Sequence, residues 1–164
     1  MAQITLRGHS VNTNGQLPAV GTTAPDFTLV DPDLRESNLE SFAGKKKVLN
    51  IVPSIDTAIC ATSLKTFYAK LKNRDDVVVL TISGDLPFAF KRFCAAEGTE
   101  NAVTMSTFRS SFPEDYGQRI IDGPLRGLCA RAVVVLDENN KVVHTEQVAE
   151  IGNEPDYRAA IAAV

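Results

Sequence analysis

Two strongly apolar, β-branched runs, Val48 to Val52 and Val77 to Ser83, flank a segment whose apolar residues follow a different period. In that segment Leu64, Phe67, Tyr68 and Leu71 fall at i, i+3, i+4 and i+7, one face of an amphipathic helix. Short apolar runs of this kind suit strands buried on both faces, and Pro53 ends the first. Strand, helix and strand in this order form a β-α-β unit, which predicts a parallel pair in a sheet covered by helices.

The remaining segments are consistent with that unit. Gln3 to Thr13 has short β-type runs about Gly8 and predicts an N-terminal hairpin; Gly15 to Pro25 is a loop, and Phe27 to Val30 a short strand. Asp85 and Pro87 open a second helix with Leu86, Phe90, Phe93 and Cys94 on one face and Gly98 as its stop. Ala132 to Leu136 and Val142 to Val148 flank the turn residues Asp137-Glu138-Asn139-Asn140, a β-hairpin, and Pro155 begins a final helix towards Val164. A β-α-β half followed by a hairpin and a closing helix is the order of the thioredoxin-like α/β fold: a central mixed sheet flanked by helices, here with an N-terminal β-hairpin extension. The 164 residues show no linker, repeat or low-complexity tract, so residues 1–164 are expected to form one domain.

Composition narrows function. A formal charge of -3 gives no basic face for nucleic acid or an anionic membrane, and no apolar run approaches the roughly 20 residues that cross a bilayer. MAQITLRGHS lacks the pattern of a signal peptide, so a cytoplasmic location is expected. Three cysteines, Cys60, Cys94 and Cys129, are too few for a secreted disulfide framework. Only two histidines are present, His9 and His144, neither at ligand spacing from a cysteine, and there is no C-x-x-C, so no metal is expected.

The chemistry concentrates in Pro53-Ser54-Ile55-Asp56-Thr57-Ala58-Ile59-Cys60. Asp56 or Thr57 can cap the helix, which puts Cys60 in its first turn. A free thiol ionises near pH 8.5, and free N–H groups at a helix start favour the thiolate. Thr57, three residues before Cys60, falls on the same side of the turn and can offer a hydroxyl to an attacked oxygen. Pro53 has no N–H, fixes the backbone leaving the strand and shields one side. A thiolate, an oxygen-directed donor and a shield are what cleavage of a peroxide O–O bond requires.

The spacing of proline, three residues, threonine, two residues and cysteine resembles the peroxiredoxin signature. The longer stretch FAGKKKVLNIVPSIDTAICATS (42–63) is similar to the thiol peroxidase branch of that family. The resemblance extends to APDFTL at 24–29, DLPFAFKRFC at 85–94, STFR at 106–109 and DGPLRGLCARAVVVLDENNKV at 122–142. It implies that Cys60 is the peroxidatic nucleophile and Cys94 the resolving cysteine of an intrachain disulfide. It also implies that Arg131 stands beside the reactive sulfur. An arginine entering a run of valines must be paired, and a thiolate or a developing oxyanion would serve; a surface carboxylate is the alternative. The resemblance further implies reduction of hydrogen peroxide and organic hydroperoxides, electrons from NADPH through thioredoxin reductase and thioredoxin, no bound cofactor, and a homodimer.

A disulfide needs Cα atoms within roughly 7 Å, and cysteines on separate packed helices are seldom that close. The first turn holding Cys60 is therefore expected to unwind before the bond forms. Cys129 matches no functional position of the family. Were the strand already extended at 129, Cys129 would share a face with Arg131 and could compete for an oxidised Cys60; the plainer reading is a small buried filler. Two other functions fit the same residues: a dithiol–disulfide exchanger, opposed by Ser63 where a second cysteine would stand, and a redox-sensing or binding module without turnover.

Overall fold

Along the strand that carries Val48 to Ile51, alternate side chains go to opposite faces and both faces are buried, as the apolar run predicts. A computed structural model describes residues 1–164. The strands are β1 (Gln3–Leu6), β2 (His9–Asn12), β3 (Leu29–Val30), β4 (Glu36–Ser37), β5 (Lys46–Ile51), β6 (Val77–Ser83), β7 (Val103–Ser106), β8 (Ala132–Leu136) and β9 (Val142–Gln147). The helices are α1 (Ala58–Leu71), α2 (Pro87–Glu97), α3 (Phe112–Asp115) and α4 (Tyr157–Ala162).

Seven strands form one mixed sheet in the order β4-β3-β7-β6-β5-β8-β9, and β1 and β2 form a separate hairpin. β5, β6 and β7 are parallel, while β8 runs antiparallel to β5 and pairs with β9. One face packs Val48, Val133 and Val135 against Phe67 and Leu71 of α1 and Ala160 of α4. The other packs Leu49, Ile51, Val134 and Leu136 with Phe27, Leu39, Phe112 and Tyr116, supplied by loops and the single turn of α3. α2 lies beside α1, where Ile55 and Leu64 cluster with Phe90, Phe93 and Cys94. Each fully buried side chain of this size contributes about 1.5–3 kcal/mol, so the two faces hold the sheet at a fixed depth under α1.

Four local expectations need correction. Leu86 is 51% exposed, because it is the extended residue before α2 and does not follow the helical period. Asp85 stands outside α2, which opens at Pro87 after the N-cap Leu86, and its carboxylate turns to another segment. Thr57 is the N-cap of α1, but its side chain makes no capping bond. Strand β8 begins only at Ala132, so strand alternation does not reach Cys129. Cys129 lies instead in the cluster on the face opposite α1, bridged to Arg119.

The hairpin extension is fastened by Glu150. Its carboxylate accepts from the Thr5 hydroxyl (2.6 Å) and from the N–H groups of Arg7 (2.9 Å) and Gly8 (3.1 Å), the turn residues with positive φ. These donors hold its carboxyl down at about 2, from an ordinary 4.5. The folded form favours the carboxylate, so this contribution is complete above the ordinary value and is lost as pH falls towards about 2. Amide protection at Arg7 and Gly8 should fall through that window, and Glu150→Gln should show the same loss already at pH 6; hydrogen exchange read by NMR checks both.

Candidate active site

β5 ends at Ile51, and the Val52 N–H makes the last ladder bond, to the Ile82 carbonyl. Pro53 follows, buried and unable to donate. The chain turns through Ser54 to Asp56 and enters α1, with Cys60 in the first turn as expected. Neither Asp56 nor Thr57 caps the helix through its side chain, and the N–H groups of Ala58, Ile59 and Cys60 donate to no acceptor on the chain. Leaving a cap unmade costs a helix about 1 kcal/mol. The Thr57 hydroxyl is committed elsewhere: it lies 2.7 Å from Cys60 Sγ and 3.0 Å from the Ser54 carbonyl oxygen.

Arg131 reaches the same sulfur from the other side of the sequence. It precedes β8 next to β5, and its Nη1 donates to Cys60 Sγ at 3.4 Å while Nε donates to the Ile151 carbonyl at 2.8 Å. Arg131 is only 3% exposed, and its bonded partners include no carboxylate. A buried guanidinium without a counter-charge costs several kcal/mol, and the one partner here able to carry a negative charge is the Cys60 sulfur. The surface-carboxylate alternative is therefore not the one adopted. The backbone of Arg131 is fixed in turn: its carbonyl accepts from the Val148 N–H and from Gln147 Nε2, and Gln147 Oε1 accepts from the buried Gln118.

Beneath the turn runs a buried polar chain. Ser63 Oγ donates to the Cys60 carbonyl (2.9 Å) and accepts from Asn50 Nδ2 (3.1 Å), which also reaches Thr81 Oγ1 (3.3 Å). These bonds tie the first turn of α1 to β5 and β6. The sulfur itself is 0% exposed. Of the two groups bonded to it, Arg131 is buried and Thr57 exposed, so solvent comes nearest on the Thr57 side. The result is a thiol under two convergent donors and three free helix-end amides, a setting that suits charge on the sulfur or on an oxygen it attacks.

Thr57, Cys60 and Arg131 thus come together, although 71 residues separate Arg131 from Cys60, while Pro53 is buried at the start of the turn that leads to them. Cys94 does not join them. It is a free, buried thiol in the cluster of Ile55, Leu64, Phe90 and Phe93, and burial pushes its ionisation up. Cys129 is also a free thiol, buried as a small filler in the cluster on the sheet face opposite α1. Sequence reasoning missed Asn50, Ser63, Thr81, Ser54 and Asp85. A signal existed for Asn50, the one polar residue inside an otherwise apolar strand run. No three or more His, Cys, Asp or Glu side chains come together as a metal site. No helix is long and apolar enough to cross a membrane.

The sequence matches the Redoxin family over residues 19–161. It is 55% identical to a thiol peroxidase of Mycobacterium tuberculosis over 164 residues, covering 100% of this chain and 99% of that protein. Among solved structures, a peroxiredoxin-like protein from Aquifex aeolicus superposes with a TM-score of 0.92 at 34% identity, covering 100% of this chain and 98% of the other. A thiol peroxidase from Chromobacterium violaceum gives 0.90 at 25% identity, with 98% and 93% covered.

Burial pushes the Cys129 thiol up to about 12. The thiolate is the nucleophile, so this side chain stays inert through the neutral range. Iodoacetamide at pH 8 should leave Cys129 unmodified in the folded protein and label it fully in guanidinium chloride, as read by peptide mass mapping.

Proposed function

The chain belongs to the Redoxin family, in its thiol peroxidase branch, and from that premise we propose a peroxide-reducing cycle run by Cys60 and Cys94. The Cys60 thiolate attacks one peroxide oxygen; the O–O bond breaks, the departing oxygen takes a proton as water or alcohol, and Cys60 becomes a sulfenic acid. The Cys94 thiol then attacks that sulfur and releases water, giving an intrachain disulfide. An external dithiol, thioredoxin, returns both thiols and is itself reduced from NADPH through thioredoxin reductase. Hydrogen peroxide and organic hydroperoxides are the substrates, and no prosthetic group takes part.

The observation that carries this reading is the convergence of Thr57 Oγ1 (2.7 Å) and Arg131 Nη1 (3.4 Å) on the buried Cys60 sulfur. As the O–O bond stretches, charge moves from sulfur to the leaving oxygen, and donors already aimed at the sulfur need little movement to follow it. Arg131 Nη2, which has no acceptor on the chain, gives the guanidinium a second point of contact for a peroxide oxygen. The uncapped start of α1 supports the second step, because opening the first turn breaks no side-chain cap. Without Cys94 the sulfenic acid would be open to further, irreversible oxidation.

We further read residues 1–164 as one domain that works in the cytoplasm as a homodimer, without nucleic acid or membrane as partner. The acidic balance and the lack of a long apolar helix are in keeping with this. A dithiol exchanger is disfavoured because Ser63, at the position of a second cysteine, is buried and bonded to Asn50 and to the Cys60 carbonyl.

The test is NADPH oxidation coupled through thioredoxin reductase and thioredoxin, with hydrogen peroxide and cumene hydroperoxide supplied separately. Cys60→Ser should abolish turnover, and Cys94→Ser should allow roughly one turnover before stopping. Consumption of NADPH by the Cys60→Ser protein at the parent rate would end this reading.

A further inference from the structure

Asp85 stands between the end of β6 and the start of α2, and nothing in the reaction as written uses it. Its surroundings are nevertheless built. Oδ1 accepts from Ser54 Oγ at 2.8 Å, and Oδ2 accepts from the Ile55 N–H at 2.7 Å and from the Ser83 hydroxyl. The Asp85 N–H donates back to Ser83 Oγ at 3.1 Å, and the Asp85 carbonyl accepts from the Ser106 hydroxyl. Asp85 is thus pinned by the ends of β6 and β7, and its carboxylate holds the turn that leads into Cys60.

That hold is transmitted to the sulfur. The Ser54 carbonyl accepts the Thr57 N–H at 3.1 Å and lies 3.0 Å from the Thr57 hydroxyl oxygen, which keeps that oxygen 2.7 Å from Cys60 Sγ with its single proton free to point at the sulfur. Two more contacts join the same turn to α2. Ile55, 0% exposed, sits in one cluster with Phe90, Phe93 and Cys94, and Asp56 pairs with Arg92 at 3.0 Å. The segment carrying Cys60 is therefore fastened to the helix carrying Cys94, with its main fastening at Asp85.

We infer that Asp85 is a positioning residue that holds the Ser54–Thr57 turn in the form that attacks peroxide and must release it before Cys94 can reach Cys60. This rests on the peroxidase reading above and gives that cycle an internal switch. In the closed turn Thr57 and Arg131 both face the sulfur, which favours attack. In the open turn Ile55 leaves the Cys94 cluster, and the Cys60 sulfenic acid condenses with the Cys94 thiol, forming the S–S bond and releasing one water. Weakening the hold should slow attack without slowing disulfide formation, whereas general loss of structure would slow both.

The experiment is rapid-quench oxidation of the reduced protein by hydrogen peroxide, with thiol, sulfenic acid and disulfide separated by mass spectrometry. It compares parent, Asp85→Asn, Ser54→Ala and the double variant, each also in a Cys94→Ser background. A misplacement of the reacting groups by about 1 Å can slow a reaction by about a hundredfold. Asp85→Asn should accordingly slow sulfenic acid formation by about ten- to a hundredfold. It should also leave disulfide formation from the sulfenic acid as fast or faster, and speed amide exchange over residues 54–60. Ser54→Ala should reproduce part of the slowed attack, and Asp85→Asn should add less on top of it than on the parent, as for two residues in one chain of contacts. Parent-rate attack in Asp85→Asn, equal slowing of both steps, or full additivity with Ser54→Ala would overturn the assignment. Failure of the parent itself to be oxidised at Cys60 would instead sink the peroxidase reading beneath it.

Discussion

The structure turns on one buried sulfur held between a hydroxyl and a guanidinium. Cys60 Sγ has Thr57 Oγ1 at 2.7 Å and Arg131 Nη1 at 3.4 Å, with no carboxylate among the partners of Arg131. Burying that guanidinium is unfavourable unless a negative charge develops beside it, and the sulfur is where such a charge can reside. The helix start makes the same demand. Three amides at the head of α1 donate to nothing on the chain, and the residue placed to cap them turns its hydroxyl away, to within 2.7 Å of the sulfur. Stability is given up at two points around one atom, a pattern expected where function outweighs local optimisation.

The rest of the fold keeps these groups in register. Parallel pairing of β5 and β6 sets the depth at which α1 crosses the sheet, and Asn50 and Ser63 lock its first turn to that depth. Antiparallel addition of β8 beside β5 brings Arg131 next to the end of β5, where the chain leaves for Cys60. Cys94 is kept apart on α2, buried among Phe90, Phe93 and Ile55. In the proposed cycle this separation has a use, since attack and disulfide formation need different arrangements of the same turn.

Much of this was legible in the sequence where a local signal and the fold agree. VLNIV and VVVLTIS read as buried strands, and the period of Leu64, Phe67 and Leu71 placed α1. The resemblance of the Pro53–Thr57–Cys60 spacing pointed to the nucleophile and, through the family, to Arg131. What was not legible depends on contacts between distant segments. Thr57 reads as a helix cap and Asp85 as the opening of α2, yet the side chain of each bonds elsewhere in three dimensions. Leu86 obeys a helical period numerically but precedes the helix, while Cys129, a small buried filler, lies before β8, so the condition for sharing a face with Arg131 is not met. β7 and α3, with four residues each, are too short to show any period.

The most direct measurement of the central claim is the second-order rate constant for oxidation of reduced Cys60 by hydrogen peroxide in the parent, Thr57→Val and Arg131→Met proteins. Thermal unfolding should be recorded on the same samples. The account predicts that each single variant stays folded and loses at least about tenfold, the scale of one charge-directed hydrogen bond of about 1.5–3 kcal/mol. A folded Thr57→Val or Arg131→Met protein that reacts as fast as the parent would contradict it.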